Sequence, residues 1–168
     1  MRKTGTERAC AEQAARRQTR ARALSWGAVV IWAGVIFWMS SNTGSEVNQE
    51  LGIISAVKAW LSAVADSLVG PGVDVSPVGH FTEYFVFGCL LANALRTAVG
   101  LRAAVVVGAL AIGSLYGVTD EWHQYFVPDR SCDPADWAVD TVASGLGAWA
   151  TYTLMQHRAK KGAGSSAA

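Results

Sequence analysis

The sequence predicts an all-α, polytopic membrane protein with four transmembrane helices and one extracytoplasmic amphipathic helix. The chain of 168 residues is 51% hydrophobic and 16% charged, whereas about 25% of the residues in soluble domains are charged. Basic residues precede the first apolar segment, flank the centre and close the chain, while most acidic residues fall in the other segments. This alternation is the positive-inside pattern of an even number of spans with both termini in the cytoplasm. A soluble four-helix protein is the alternative fold.

The first predicted span covers residues 23–41 and follows a basic cytoplasmic tail, residues 1–22, which is expected to be disordered. At about 1.5 Å per residue this apolar segment crosses most of a bilayer core about 30 Å thick. A secretory signal peptide is the alternative, because basic residues precede an apolar run. Phe37, Trp38 and Met39 stand where cleavage needs small residues, so we predict a retained span.

Residues 52–69 have the periodicity of an amphipathic helix. Ile54, Leu61 and Leu68 fall on one side of a helix, and Ser55 and Ser62 fall on the other. The segment is too polar to span the membrane, which favours an amphipathic helix in the outer interface. A helix packed on the outer ends of the spans has the same periodicity.

The remaining predicted spans complete a membrane domain of residues 23–157. They cover about residues 78–95, 101–118 and 137–155. Ser76 and Pro77 are a helix start before the second of the four spans, as Asp133 and Pro134 are before the last. Residues 120–135 are predicted to form an outer loop, and residues 158–168 a disordered cytoplasmic tail.

The three cysteines fall in separate compartments of this topology. Cys10 would lie in the cytoplasmic tail, Cys89 in the membrane and Cys132 outside. No two of them could meet, so no structural disulfide is predicted.

Polar side chains inside membrane segments are costly, and here they concentrate at three helix ends. The predicted topology brings these ends together at the outer leaflet. The candidate ligand-binding residues are His80, Glu83, Tyr84, Asp120, His123, Arg130, Asp136 and Asp140. The candidate catalytic residues are Glu83, His80, Asp120, Glu121, His123 and Asp140.

This convergence has functional and structural interpretations. The N-termini of the second and fourth spans would favour an anionic ligand group, and carboxylates partly shielded from water suit general acid or base chemistry. Asp133 and Asp136 could equally serve as helix-capping residues. Structural pairs across helices, such as Glu83 with His123 or Arg130 with Asp140, are a further alternative.

Metal and nucleophile motifs offer little support for a defined enzyme. A metal site could be formed by His80, Glu83, Asp120, His123 and Asp140. Their spacing matches no zinc motif, so no metal or cofactor is predicted. Cys132, Ser131 and Ser144 have no evident base beside them in the sequence. Whether the protein is an enzyme stays open at this point.

Several of these segments together resemble the VanZ-like family of bacterial membrane proteins. The matching motifs are Ser40-Ser41-Asn42, His80-Phe81-Thr82-Glu83-Tyr84, Tyr116-Gly117-Val118-Thr119-Asp120-Glu121-Trp122-His123-Gln124, and Pro128-Asp129-Arg130-Ser131-Cys132-Asp133 followed by Asp136 and Asp140. The resemblance implies a multi-pass protein of the bacterial plasma membrane. The namesake of the family is associated with resistance to teicoplanin, a lipidated glycopeptide antibiotic that acts at the outer face.

The residues and the resemblance leave three functions open. The first is a binding or accessory protein for a membrane lipid, a lipid-linked wall precursor or a lipoglycopeptide. The second is a membrane-embedded acid/base enzyme acting on a lipid-linked substrate, and the third is a structural membrane subunit. No nucleic-acid partner is expected.

Overall fold

A computed structural model of the protein describes residues 5–41, 60, 63, 76–128, 130 and 132–165. These residues contain four α-helices, α1 (Gly5–Ser41), α2 (Ser76–Val99), α3 (Ala104–Gln124) and α4 (Pro134–Ser165). The predicted all-α class is confirmed. Two helices contain segments long and apolar enough to cross a membrane, Arg8–Ser41 and Ala104–Gln124. The predicted interfacial helix of residues 52–69 lies outside the described residues apart from Trp60 and Ala63.

The helix boundaries follow the local sequence signals. Helix α2 begins at Ser76 and α4 begins at Pro134. The Asp133 carboxylate accepts a hydrogen bond of 2.8 Å from the backbone N–H of Ala135, which is the predicted cap. After α2, Gly100 adopts a left-handed φ of 76° and its N–H donates to the Arg96 carbonyl at 2.9 Å. Glycine ends helices in this way because it has no Cβ to clash.

The helices extend beyond the predicted spans. Helix α1 begins at Gly5, within the expected disordered tail, and α4 continues to Ser165 through much of residues 158–168. Both extensions are rich in alanine and in long polar side chains, which favour helix. Helix α3 continues to Gln124, so Asp120 and Glu121 belong to a helix and not to a loop.

Helices α2 and α4 make the most extensive contact of the bundle. Gly88 of α2 packs against the backbone carbonyl of Ser144, and Gly147 of α4 packs against the backbone carbonyl of Phe85. A Cβ at either glycine would overlap the facing carbonyl oxygen. We call these four residues the glycine contact. The Cys89 thiol also donates to the Gly147 carbonyl at 3.3 Å.

Helix α1 is joined to the other helices by two aromatic side chains. The Trp32 indole N–H donates to the Glu83 carbonyl of α2 at 2.9 Å. The Tyr116 hydroxyl of α3 donates to the Ala33 carbonyl at 2.6 Å. These bonds fix the second half of α1 against the bundle, whereas its first half, up to Leu24, is exposed wherever its side chains are described.

The bundle has an apolar core that includes Ile36, Phe87 and Leu91, but it also exposes many apolar side chains and buries several polar ones. Its most exposed apolar side chains include Val30, Ile31, Val107, Leu115, Val142 and Trp149. Its buried polar side chains are Ser40, His80, Asp120, Glu121, Gln124, Asp140 and Ser144. An apolar exterior of this extent is typical of a surface that faces lipid.

Candidate functional site

Four ionisable side chains meet where α2 and α4 begin and α3 ends. We call His80, Asp120, Glu121 and Asp140 the polar cluster. Their exposed fractions are 7%, 4%, 4% and 0% respectively. One potential ligand atom from each residue lies within 4.8 Å of the corresponding atoms of the other three. Three helices thus place one imidazole and three carboxyl groups around a common point.

The link between α2 and α4 is a hydrogen bond between His80 and Asp140. The distance from His80 Nδ1 to Asp140 Oδ1 is 3.2 Å. The other ring nitrogen, Nε2, lies 3.9 Å from Asp136 Oδ2. Burial increases along the start of α4, since Asp133 is exposed, Asp136 half-buried and Asp140 fully buried.

The α3 side of the cluster is fixed by neighbouring polar groups. The side-chain amide of Gln124 donates to Ser40 Oγ at 2.8 Å and to Asp120 Oδ2 at 3.3 Å. The backbone N–H of Asp133 donates to Glu121 Oε2 at 2.7 Å. Each of these two carboxylates is thus oriented through one of its oxygens.

The second oxygen of each of the three carboxyl groups lacks such a hydrogen bond. Asp120 Oδ1, Glu121 Oε1 and Asp140 Oδ2 are buried and have no hydrogen-bond partner among the described residues. Buried polar atoms are nearly always hydrogen-bonded, so three orphaned oxygens in one place require an explanation.

Glycines on α3 make room for the acidic side chain of α4. A Cβ at Gly117 would lie 3.4 Å from Asp140 Cβ and 3.3 Å from Trp137 Cδ1. A Cβ at Gly113 would overlap the Ser144 side chain. These two glycines therefore let α3 approach α4 closely next to the cluster.

Glu83 and Arg130 lie at the edge of the polar cluster and are half-buried. The charge of Glu83 interacts with those of His80, Asp120 and Arg130. Arg130 donates from Nη2 to the Met39 carbonyl at 3.4 Å, and its Nε has no partner among the described residues.

Two further candidates make contacts outside the four-residue cluster. His123 Nε2 lies 2.9 Å from Ser41 Oγ, and its ring stacks on Phe37 with centroids 4.3 Å apart. Tyr84 is fully buried, its ring centroid lies 6.1 Å from that of Phe87, and its hydroxyl has no hydrogen-bond partner among the described residues. The structure pairs His123 with Ser41 and not with Glu83.

Asp140 likewise pairs with His80 and not with Arg130.

Sequence reasoning did not select Ser40 and Gln124 as site residues. Gln124 is 2% exposed and connects α1 to Asp120. The signal was available, because Gln124 follows Asp120 by four residues and Ser40 ends the first apolar segment.

An apolar groove adjoins the polar cluster on the outside of α3 and α4. It has a volume of about 400 Å³. Its lining residues are Val118, Glu121, Trp122, Tyr125, Cys132, Pro134 and Trp137. Glu121 lines the groove and belongs to the cluster, so the two features adjoin at this residue, whose carboxylate is buried.

Comparison with known proteins assigns the chain to a family. No curated protein and no solved structure gives a significant match. The sequence profile described as VanZ/LLP1 matches residues 25–156, which include all four members of the polar cluster and every residue of the groove. The protein therefore belongs to the VanZ/LLP1 family.

Proposed function

We propose that the protein binds an amphiphilic molecule of the cell envelope at the outer leaflet and thereby contributes to protection against teicoplanin. The observation that carries this proposal is the apolar groove that adjoins the polar cluster at Glu121. An acyl chain fits an apolar groove, and a polar head group would lie beside it, near the helix ends that carry the polar cluster. Envelope lipids, lipid-linked wall precursors and lipoglycopeptides share these two parts.

The aromatic residues of the groove support a position in the membrane interface. Trp122, Tyr125 and Trp137 are 67%, 71% and 39% exposed. Tryptophan and tyrosine are enriched at the level of lipid head groups. A groove at this level receives the tail of an amphiphile from the lipid phase while its head stays near water.

The orientation we propose has four spans, both termini in the cytoplasm and the polar cluster towards the outer leaflet. Its support is the basic N-terminal half of α1 and the basic residues around the α2–α3 connection. In this orientation both stand on the cytoplasmic side, as the positive-inside rule expects.

Thiol labelling tests the orientation, because Cys10 and Cys132 are both exposed. Each is retained in turn in a variant in which the other two cysteines are replaced by serine. A membrane-impermeant maleimide should label Cys132 in intact cells and should label Cys10 only after lysis. The reverse order would overturn the proposed orientation.

Antibiotic susceptibility tests the binding function. Wild type and Trp122→Ala are expressed at matched membrane levels in a teicoplanin-sensitive Gram-positive host. Removing one groove-lining aromatic side chain should cost about 1.5 kcal/mol, or roughly tenfold in affinity. We therefore expect wild type to raise the inhibitory concentration of teicoplanin but not of vancomycin, and Trp122→Ala to lose that selective protection.

Trp149→Ala is the matched control, since Trp149 is also exposed, at 58%, but does not line the groove. It should protect as well as wild type. Absence of protection by wild type would remove the resistance role. Equal loss of protection in both variants would indicate a general effect of removing an exposed tryptophan. That result would contradict binding in the groove.

The hydrogen bond between His80 and Asp140 favours acid/base catalysis on a lipid-linked substrate as a second candidate function. A carboxylate that orients an imidazole is a recurrent arrangement of catalytic bases. Mass spectrometry of envelope lipids should then reveal a product in cells with wild type that is missing in cells with Asp140→Asn. Identical lipid profiles would refute this candidate.

A further inference from the structure

We propose that His80, Asp120, Glu121 and Asp140 bind a divalent metal ion of the first transition row. Metal–ligand bonds of about 2.0–2.2 Å place neighbouring ligand atoms roughly 3–4 Å apart. The four potential ligand atoms lie within 4.8 Å of one another, so small side-chain shifts bring them around one ion. The proposal goes beyond the amphiphile-binding function and does not depend on it.

The free carboxylate oxygens are the second, independent observation. Asp140 is fully buried, and its Oδ2 has no hydrogen-bond partner among the described residues. The same holds for one oxygen each of Asp120 and Glu121, which are 4% exposed. The other oxygen of each carboxyl group is held by His80, Gln124 or the Asp133 N–H. A carboxylate that accepts a hydrogen bond at one oxygen and is free at the other is oriented for binding a metal.

The charge balance supports the same assignment. Among the described residues, no lysine or arginine forms an ion pair with the three carboxylates, and the contact of Asp140 with His80 carries no positive charge when the imidazole is neutral, the form that binds a metal. Buried carboxylates are stabilised by an opposite charge or by a metal. Arg130, the nearest cationic side chain of the connecting segment, instead donates to the Met39 carbonyl. A divalent cation would supply the missing positive charge.

The ligand types restrict the metal. Carboxylate oxygens suit Mn²⁺, Mg²⁺ and Ca²⁺, whereas imidazole suits Zn²⁺, Fe²⁺ and other transition metals. A set of three carboxylates and one imidazole therefore fits Mn²⁺, Fe²⁺ or Zn²⁺ better than it fits Mg²⁺ or Ca²⁺, which prefer oxygen ligands alone. The sequence led us to expect no metal because zinc motifs pair ligands within one helix, whereas these ligands come from three helices.

Metal binding is tested on the full-length protein in nanodiscs after treatment with a chelator. Mn²⁺ binding is measured by equilibrium dialysis, and bound Mn²⁺ by electron paramagnetic resonance. Wild type should bind one Mn²⁺ per chain, and Asp140→Asn or Asp120→Asn should weaken binding by at least about tenfold. Pulsed electron paramagnetic resonance should detect coupling of Mn²⁺ to an imidazole nitrogen, and this coupling should be absent in His80→Gln.

One variant separates a ligand from a nearby charge. Asp133→Asn removes an exposed carboxylate beside the cluster but outside the four proposed ligands, and it retains a helix-capping side chain. It should keep Mn²⁺ affinity close to that of wild type. Circular dichroism and gel filtration establish that each variant is folded. Wild type that binds no more Mn²⁺ and no more Zn²⁺ than empty nanodiscs would overturn the proposal. A normal metal site in a protein without teicoplanin protection would refute only the proposed function.

Discussion

The polar cluster and the glycine contact both lie where α2 packs on α4, and they work in opposite ways. Asp140 and Ser144 are four residues apart on α4, and both are fully buried. At Ser144 the backbones of α2 and α4 touch through Gly88 with no room for a side chain. At Asp140 the two helices instead meet through the hydrogen bond between His80 and Asp140, beside the carboxyl groups of α3.

This difference assigns separate roles to the two regions. The glycine contact gains dispersion energy from backbone packing, which is a main source of helix association in lipid. The polar cluster carries buried oxygens without partners, which cost free energy. We infer that the glycine contact stabilises the bundle and that the cluster is maintained for binding.

The largest expected effect follows from filling the glycine contact. In Gly88→Ala the new Cβ would overlap the Ser144 carbonyl, which belongs to the backbone and cannot rotate away. Separating α2 from α4 should destabilise the protein by about 3 kcal/mol or more. Thermal unfolding in nanodiscs should show a strongly lowered Tm, with reduced accumulation in the membrane.

Gly79→Ala is the matched control on the same helix, since nothing lies within 4 Å of a Cβ at Gly79. Alanine favours helix over glycine, so this variant should keep or slightly raise the Tm. A Gly88→Ala protein as stable as Gly79→Ala would show that α2 and α4 are not held by the glycine contact.

A smaller effect should follow from removing metal from the polar cluster. At a free Mn²⁺ concentration one hundred times the Kd, binding stabilises the folded state by about 2.7 kcal/mol. A chelator should therefore lower the Tm of wild type and of Asp133→Asn. Asp140→Asn, which lacks one proposed ligand, should not respond to the chelator.

A Tm of wild type that is unchanged by chelator and by added Mn²⁺ would contradict this prediction. Equal responses of wild type and Asp140→Asn would place the metal elsewhere. Either result would contradict the assignment of stabilisation to the glycine contact and of metal binding to the polar cluster.

Local sequence signals predicted the helix starts. Helix α2 begins at Ser76, and the Asp133 side chain caps α4 as predicted, because caps depend on residues close in sequence. The predicted convergence of His80, Asp120 and Asp140 at one end of the bundle is also found.

Contacts between helices could not be read from periodicity. Spacing places Asp120 and His123 near the same helix end, yet Asp120 joins the cluster and His123 bonds to Ser41 of α1. They are three residues apart, and a helix rotation of a few tens of degrees decides which neighbour each one meets. The pairing of Gly88 with Ser144 depends in the same way on how the helices are rotated and shifted relative to each other.

The smallest of the three effects tests whether the two regions are independent. The Tyr116 hydroxyl bonds to the Ala33 carbonyl and belongs to neither region. Tyr116→Phe should lower stability by about 1 kcal/mol, the net value of one hydrogen bond. Because the aromatic ring remains, α3 should keep its position and Mn²⁺ affinity should not change. Tyr125→Phe is the control, since Tyr125 is 71% exposed and its change should alter neither quantity. Loss of Mn²⁺ affinity in Tyr116→Phe would mean that α1 holds the cluster in place, and the stabilising and binding regions would then be coupled through α3.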